Sequence, residues 1–264
     1  MEKIMKLSIK SILATIVFST LIGTASAKPN GIDRIKHAGT LTVGVKEDVP
    51  GFGYLNPKTK EFEGLEVDIA KAIAMQILGS ESKVTFVPVN AKNRSAFLNQ
   101  DRVDIVVATF TVTEERKQNY DFSDVYYTDS VGLMVKKDSG ITSFKNLENK
   151  KVGVTQGSMT TTTIKNAAIK EGVFLNCITY PSNQTLKDAL EHGEIDAFAI
   201  DTSILHGYTD ETVTILPERF DEMMYAVAIK KDNSAVTKQV NEVIRNLVKS
   251  GDLDKLIAKH GLKF

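Results

Sequence analysis

The sequence predicts an α/β protein built as two doubly wound lobes that share two crossover strands. Three observations carry that prediction. Short apolar runs alternate with amphipathic helical stretches along the chain, the alternation restarts after a polar segment at 136–140, and a late strand pattern at 225–230 is placed to return to the first lobe.

The elements follow in order. Residues 40–46 read as a strand. In 66–78, Val67, Ile69, Ala70, Ile73, Ala74 and Ile77 are spaced to make one apolar face of a helix. A strand at 83–89, a short helix at 95–99 and a strand at 103–108 complete a βαβαβ unit. An apolar stretch at 131–135 then leads into the second lobe. There, strands at 151–155, 177–181 and 195–200 alternate with helices at 159–171 and 184–192. The strand at 225–230 and helices at 235–249 and 253–260 close the chain. The expected organisation is therefore lobe one over 28–133 and 225–264, and lobe two over 134–224. Ligands of open α/β sheets bind where strand carboxyl ends converge, so two such lobes facing each other make a cleft that a pair of crossing strands can hinge shut.

Composition narrows the function. The 264 residues are 42% hydrophobic, with 33 basic against 33 acidic side chains. No field of one sign exists to hold nucleic acid or an anionic membrane. At the N-terminus Lys3, Lys6 and Lys10 precede an apolar run at 11–23 and the small-residue sequence Ala25-Ser26-Ala27, the pattern of a cleaved secretory signal peptide over 1–27. That run is shorter than the roughly 20 residues a spanning helix requires. Cys177, the lone cysteine, lies far from the cleavage site, so neither an internal disulfide nor a lipid anchor at that site is expected. The four histidines have no ligand-like spacing, and no metal, nucleotide or other cofactor is expected.

Several ordered motifs resemble the amino-acid-binding group of bacterial solute-binding proteins, the receptors of polar amino-acid ABC transporters. They are Val43-Gly44-Val45-Lys46, Gly64-Leu65-Glu66-Val67-Asp68-Ile69-Ala70, Val103-Asp104-Ile105, the run from Ala108 to Arg116, Asp121-Phe122-Ser123, Tyr126-Tyr127, Val152 to Ser158, and Glu194 to Phe198. The resemblance covers nearly the whole chain after the signal and is greatest to aspartate- and glutamate-binding members. It implies the type II periplasmic-binding-protein fold, no enzymatic activity, a monomer free in the periplasm, a small amino acid as ligand and an inner-membrane permease as partner. A cyclic-acid dehydratase on the same fold is the alternative from another class.

The threonine-rich segment has chemistry of its own. A strand ending at Thr109, a turn through Thr111 and a helix starting near Thr113 gather hydroxyls, free N–H groups and Arg116, a set that suits a carboxylate. The competing reading is a solvated Arg116 beside Glu114 and Glu115, with Thr113 acting only as a cap. Asp201 ends a predicted strand, where the resemblance implies capture of the ligand's ammonium; its other reading is a cap for the next helix. Ser158 and Thr160 open a helix after a strand and offer further carboxylate contacts. Phe52 follows the first strand, where the resemblance implies an aromatic ring against the ligand's carbon chain, although Pro50-Gly51-Phe52 departs from the usual Pro-Pro-Phe and ordinary packing stays open.

Lys46 and Arg94 are the candidates for reading the ligand's side chain. With Arg116 and Asp201 they give a site charge of about +2, which favours glutamate or aspartate, with glutamine and then cysteine as alternatives. Both cations also have nearby acids, Glu47, Asp48 and Asp68, as competing partners.

Overall fold

The computed structural model describes residues 31–262. The predicted signal peptide lies outside the described residues.

The first lobe opens with α1 (Gly31–Ala38) and β1 (Leu41–Val45), followed by a small three-stranded sheet of β2 (Asp48–Val49), β3 (Gly53–Leu55) and β4 (Phe62–Glu63). Then come α2 (Leu65–Leu78), β5 (Val84–Pro88), α3 (Arg94–Asn99), β6 (Ile105–Val106), α4 (Glu114–Lys117) and β7 (Tyr120–Phe122). The second lobe holds β8 (Tyr127–Lys136), β9 (Lys150–Thr155), α5 (Thr160–Glu171), β10 (Leu175–Tyr180), α6 (Asn183–Glu191), β11 (Ala197–Asp201), α7 (Thr202–His206), β12 (Val213–Ile215) and β13 (Phe220–Tyr225). The chain returns through β14 (Ala228–Lys230) to α8 (Ser234–Ser250) and α9 (Asp252–Lys259).

The two large sheets are mixed. The first runs β5-β1-β6-β14-β7, with β1 parallel to β5 and β6, and β14 antiparallel to its neighbours. The second runs β10-β9-β11-β8-β12, with β9, β10 and β11 parallel and β8 antiparallel to β11, β12 and β13. Burial explains the sequence patterns. All five residues of β11 are buried because helices cover both faces of the central strands, whereas no residue of edge strand β10 is fully buried. Leu65, Ile69, Ile73 and Ile77 of α2 lie on one stripe against β1 and β5.

Two expectations change. The apolar run read at 131–135 is the second half of β8, which pairs along its whole length in the second sheet, so the expected division at 133/134 falls inside a strand. The single strand read at 225–230 is two strands: β13 belongs to the second sheet and β14 to the first, with Ala226 and Val227 between. Alternation alone does not report a strand changing sheets. On sheet membership we propose that the lobes divide at 124–126 and 226–227. There Tyr126 N–H donates to Tyr225 C=O at 3.0 Å and Ser123 N–H to Val227 C=O at 3.0 Å, so the two crossings run side by side.

Candidate functional site

Parallel strands set the site because each delivers its next residue to one end of its sheet. Lys46 follows β1, Thr109 follows β6, Thr155 ends β9 and Asp201 ends β11. The lobes bring these ends together around a narrow cleft with a free volume of only about 10 Å³, lined by Lys46, Arg94, Thr109, Thr111, Ser158 and Asp201 of the expected set. Thr155 and the apolar side chains of Ala91, Met159, Ile200 and Ile204 complete the wall. Polar groups converge at a few points on a partly apolar lining, as in small-molecule sites generally.

The lobes touch at this cleft. Gly157 has φ +82° and packs so tightly that a Cβ there would lie 2.6 Å from the Ala91 carbonyl oxygen, so the approach requires glycine. Arg116 Nη1 donates to Thr111 C=O at 2.7 Å, and its Nη2 to Gly157 C=O across the gap at 3.4 Å. Asp48 forms a second junction. Its carbonyl accepts from Tyr208 Oη, and its Oδ2 accepts from Asn183 N–H at 3.4 Å.

Lys46 and Arg94 are 4% and 2% exposed, but their situations differ. Arg94 Nη1 donates to the carbonyls of Ala108 at 2.5 Å and Thr109 at 3.0 Å, and its guanidinium lies 4.1 Å from the centre of the Phe110 ring. Its buried Nε has no hydrogen-bond partner among the described residues. Lys46 Nζ donates no hydrogen bond and closes no ion pair among the described residues, and it feels Asp48, Glu66 and Asp201 only at longer range. Glu47 and Asp68 do not neutralise it, since Asp68 pairs with Lys259 and His260. Burial, then Arg94, pulls the Lys46 ammonium below its ordinary pKa. Burial and then Arg116 lower Arg94 to about 9, which leaves it charged at neutral pH.

Asp201 precedes α7 as its N-cap residue, yet its side chain makes no capping hydrogen bond. It accepts instead from Tyr225 Oη, which holds the carboxylate on the cleft wall. Burial first, then the charge of Asp129, pushes its pKa up to about 6, against the pull of Tyr225, Lys46 and Arg94. Asp129 itself accepts from the N–H groups of Ser130 at 2.7 Å and Ser203 at 3.0 Å.

Three expected residues do not line the cleft. Phe52 is fully buried, edge-on to Tyr127 and Tyr225 with ring centres 5.0 and 5.7 Å away, so it supports the wall from behind. Such aromatic pairs contribute about 0.5–1.5 kcal/mol each. Thr160 is buried on the first turn of α5, its Oγ1 without a partner. Arg116 stands at the rim, where the carbonyls of Thr111 and Gly157 receive its guanidinium; Thr113 does cap α4, accepting from Arg116 N–H at 3.1 Å.

Sequence reasoning missed Glu66. It is fully buried, and its Oε1 accepts from Thr109 N–H and Tyr126 Oη, each at 2.5 Å. Its signal was available: Glu66 stands on the same i, i+3, i+4, i+7 stripe as Ile69, Ala70 and Ile73, an acid on an apolar face.

Comparison with known proteins agrees with this geometry. A profile of the bacterial extracellular solute-binding proteins, family 3, matches residues 41–263. The "ABC transporter glutamine-binding protein GlnH" of Bacillus subtilis (strain 168) is 35% identical over 98% of this chain and 97% of its own length. The "Glutamine-binding protein" of Geobacillus stearothermophilus is 36% identical over 81% of this chain and 82% of its own. Among solved structures, the cysteine-binding protein from Campylobacter jejuni superposes with a TM-score of 0.78 at 29% identity, covering 88% of this chain and 93% of that one. No helix among the described residues is long and apolar enough to cross a membrane. With two lobes, a polar cleft between them and a family match over most of its length, the chain belongs to the bacterial extracellular solute-binding proteins of family 3 and is an amino-acid-binding receptor of an ABC importer.

Proposed function

We propose that the ligand is an acidic amino acid, glutamate or aspartate, captured by closure of the lobes and delivered to a membrane permease without chemical change. The observation that carries this reading is Lys46: a buried ammonium on the cleft wall with no partner of its own beside an equally buried Arg94. A buried unpaired charge is costly, and a side-chain carboxylate relieves that cost where an amide cannot. The charged residues that line the cleft are Lys46 and Arg94 against Asp201, an excess of one positive charge that a ligand of −1 cancels.

In this reading Asp201, held by Tyr225, takes the ligand's ammonium. Arg116 at the rim, the hydroxyls of Thr109 and Thr111, and Ser158 in the turn before α5 serve its α-carboxylate. Lys46 meets the distal carboxylate, and Arg94 supports that end through the 108–109 backbone. Phe52 acts indirectly, by backing the Tyr127–Tyr225 layer. The receptor works as a monomer in the periplasm after removal of residues 1–27, and the cleft supports binding without catalysis.

Glutamine is the second reading because both curated relatives above are named for it. Calorimetric titration of ligand-stripped protein, residues 28–264, separates the two. Glutamate or aspartate binding at least tenfold tighter than glutamine, about 1.4 kcal/mol, is the expected result. Glutamine binding as tightly or tighter overturns the acidic assignment. Turnover of a cyclic hydroxy acid, with no amino acid bound, would replace the receptor reading by the dehydratase one.

A further inference from the structure

Glu66 is a carboxylate enclosed on all sides within the cleft wall, and no ligand contact accounts for it. Oε1 receives two hydrogen bonds, from Thr109 N–H and Tyr126 Oη, while Oε2 is buried with no hydrogen-bond partner. The 2.5 Å contact between Tyr126 Oη and Oε1 has the length of a hydroxyl donating to an ionised carboxylate, and an anion also uses the N–H of Thr109 and nearby cations. Burial raises the Glu66 pKa, and the hydrogen bonds from Tyr126 and Thr109, then Lys46 and Arg94, oppose that rise and favour the anion. The arrangement also constrains the backbone. Thr109 has φ +43°, unusual for a β-branched residue, and it is held from both sides, its N–H by Glu66 and its C=O by Arg94.

We infer that Glu66 is a positioning residue that sets ligand selectivity: it fixes Thr109 on the cleft wall and holds a built-in negative charge against Lys46 and Arg94, restraining the preference for an anionic ligand over a zwitterion. The inference rests on the proposed reading that amino acids bind beside Lys46. Its sign follows from Coulomb's law, since removing an anion close to the ligand's distal group favours whichever ligand carries more negative charge.

The test is Glu66→Gln, which keeps an oxygen able to accept from Thr109 and Tyr126 but removes the charge. Affinities for L-glutamate and L-glutamine are measured by calorimetry in wild type and variant, with thermal melting as the folding control. The glutamine-to-glutamate Kd ratio is expected to rise at least tenfold over wild type, whichever ligand the wild type prefers. A wild type that favours glutamine therefore defeats the acidic-ligand reading while leaving this shift to be seen. Tyr126→Phe, which removes a hydrogen bond but no charge, is expected to weaken both ligands alike and leave the ratio within about twofold. If Glu66→Gln does not fold, the charge-balanced Lys46→Gln/Glu66→Gln pair compared with Lys46→Gln alone isolates the same charge, with the same tenfold shift expected. An unchanged ratio, a shift toward glutamine, an equal shift in Tyr126→Phe, or a protein that binds neither ligand overturns the inference.

Discussion

The two walls of the cleft differ in kind. The first lobe presents cations and backbone: Lys46, Arg94 and Arg116, with Glu66 behind them and the turn at Thr109 and Thr111 held by their hydrogen bonds. The second lobe presents one carboxylate, two hydroxyl-bearing side chains and three apolar ones: Asp201, Thr155, Ser158, Met159, Ile200 and Ile204. A zwitterion with an acidic tail is complementary to that division, since most of its negative charge belongs on the first wall and its ammonium on the second. Of the three cations, Arg94 and Arg116 donate to carbonyl oxygens, and Lys46 alone donates no hydrogen bond among the described residues.

The largest effect expected from disturbing this division comes from the second wall. Asp201→Asn removes the only charged partner proposed for the ammonium, and charge-assisted bonds contribute about 1.5–3 kcal/mol. Every amino-acid ligand should bind about 100-fold more weakly by calorimetry; a loss under threefold would move ammonium capture elsewhere.

Lys46→Met sharpens the comparison from the first wall. Glutamate affinity should fall at least tenfold while glutamine holds or improves. Because the variant also removes a buried unpaired ammonium, the ligand-free protein should melt at a higher temperature. A lower melting temperature together with equal losses for both ligands would mean that Lys46 is structural.

Acid acts on Asp201 in the second wall. Asp201 in the free protein titrates near 6, raised by burial and Asp129 and restrained by Tyr225, Lys46 and Arg94. A bound ammonium favours the ionised form, so affinity should be flat above about pH 7 and fall below pH 6, approaching tenfold per pH unit. Asp129→Asn should move that fall to lower pH. An affinity constant from pH 7 to 5 would remove Asp201 from the ammonium's contacts.

The smallest effect belongs to the junction between the walls. Tyr208→Phe deletes the bond to Asp48 C=O, and a typical hydrogen bond contributes about 0.5–1.5 kcal/mol. All ligands should weaken together by about two- to tenfold, with selectivity unchanged.

Much of this division was legible in the residue order. Lys46, Thr109 and Asp201 could be placed because each follows or ends an apolar run, and the carboxyl end of a parallel strand is a fixed location in an α/β sheet. Arg94 was found as a cation near the site, but its use was not, because a side chain's choice between ligand and carbonyl oxygen depends on contacts remote in sequence. For Phe52 the resemblance implies a cleft residue and ordinary packing stays open, because a loop position fixes the side of the sheet and not the depth of a ring. Glu66 is masked by the apolar members of its stripe on α2, although an acid among them demands an explanation. The crossing is hidden for a related reason: Tyr225 and Ala228 share an alternating pattern while pairing in different sheets.

The contacts of Asp48 with Tyr208 and Asn183 include no atom of a ligand. Whatever they contribute favours the shut form of an empty receptor as much as of a full one. Their strength therefore fixes a baseline, the share of unloaded molecules that already have the shape a permease meets when cargo arrives. Strengthening them would improve capture from dilute surroundings, because less of the binding energy is spent on closing. It would also raise the number of empty receptors competing for the same docking surface, so the gain in scavenging sets its own ceiling on transport rate.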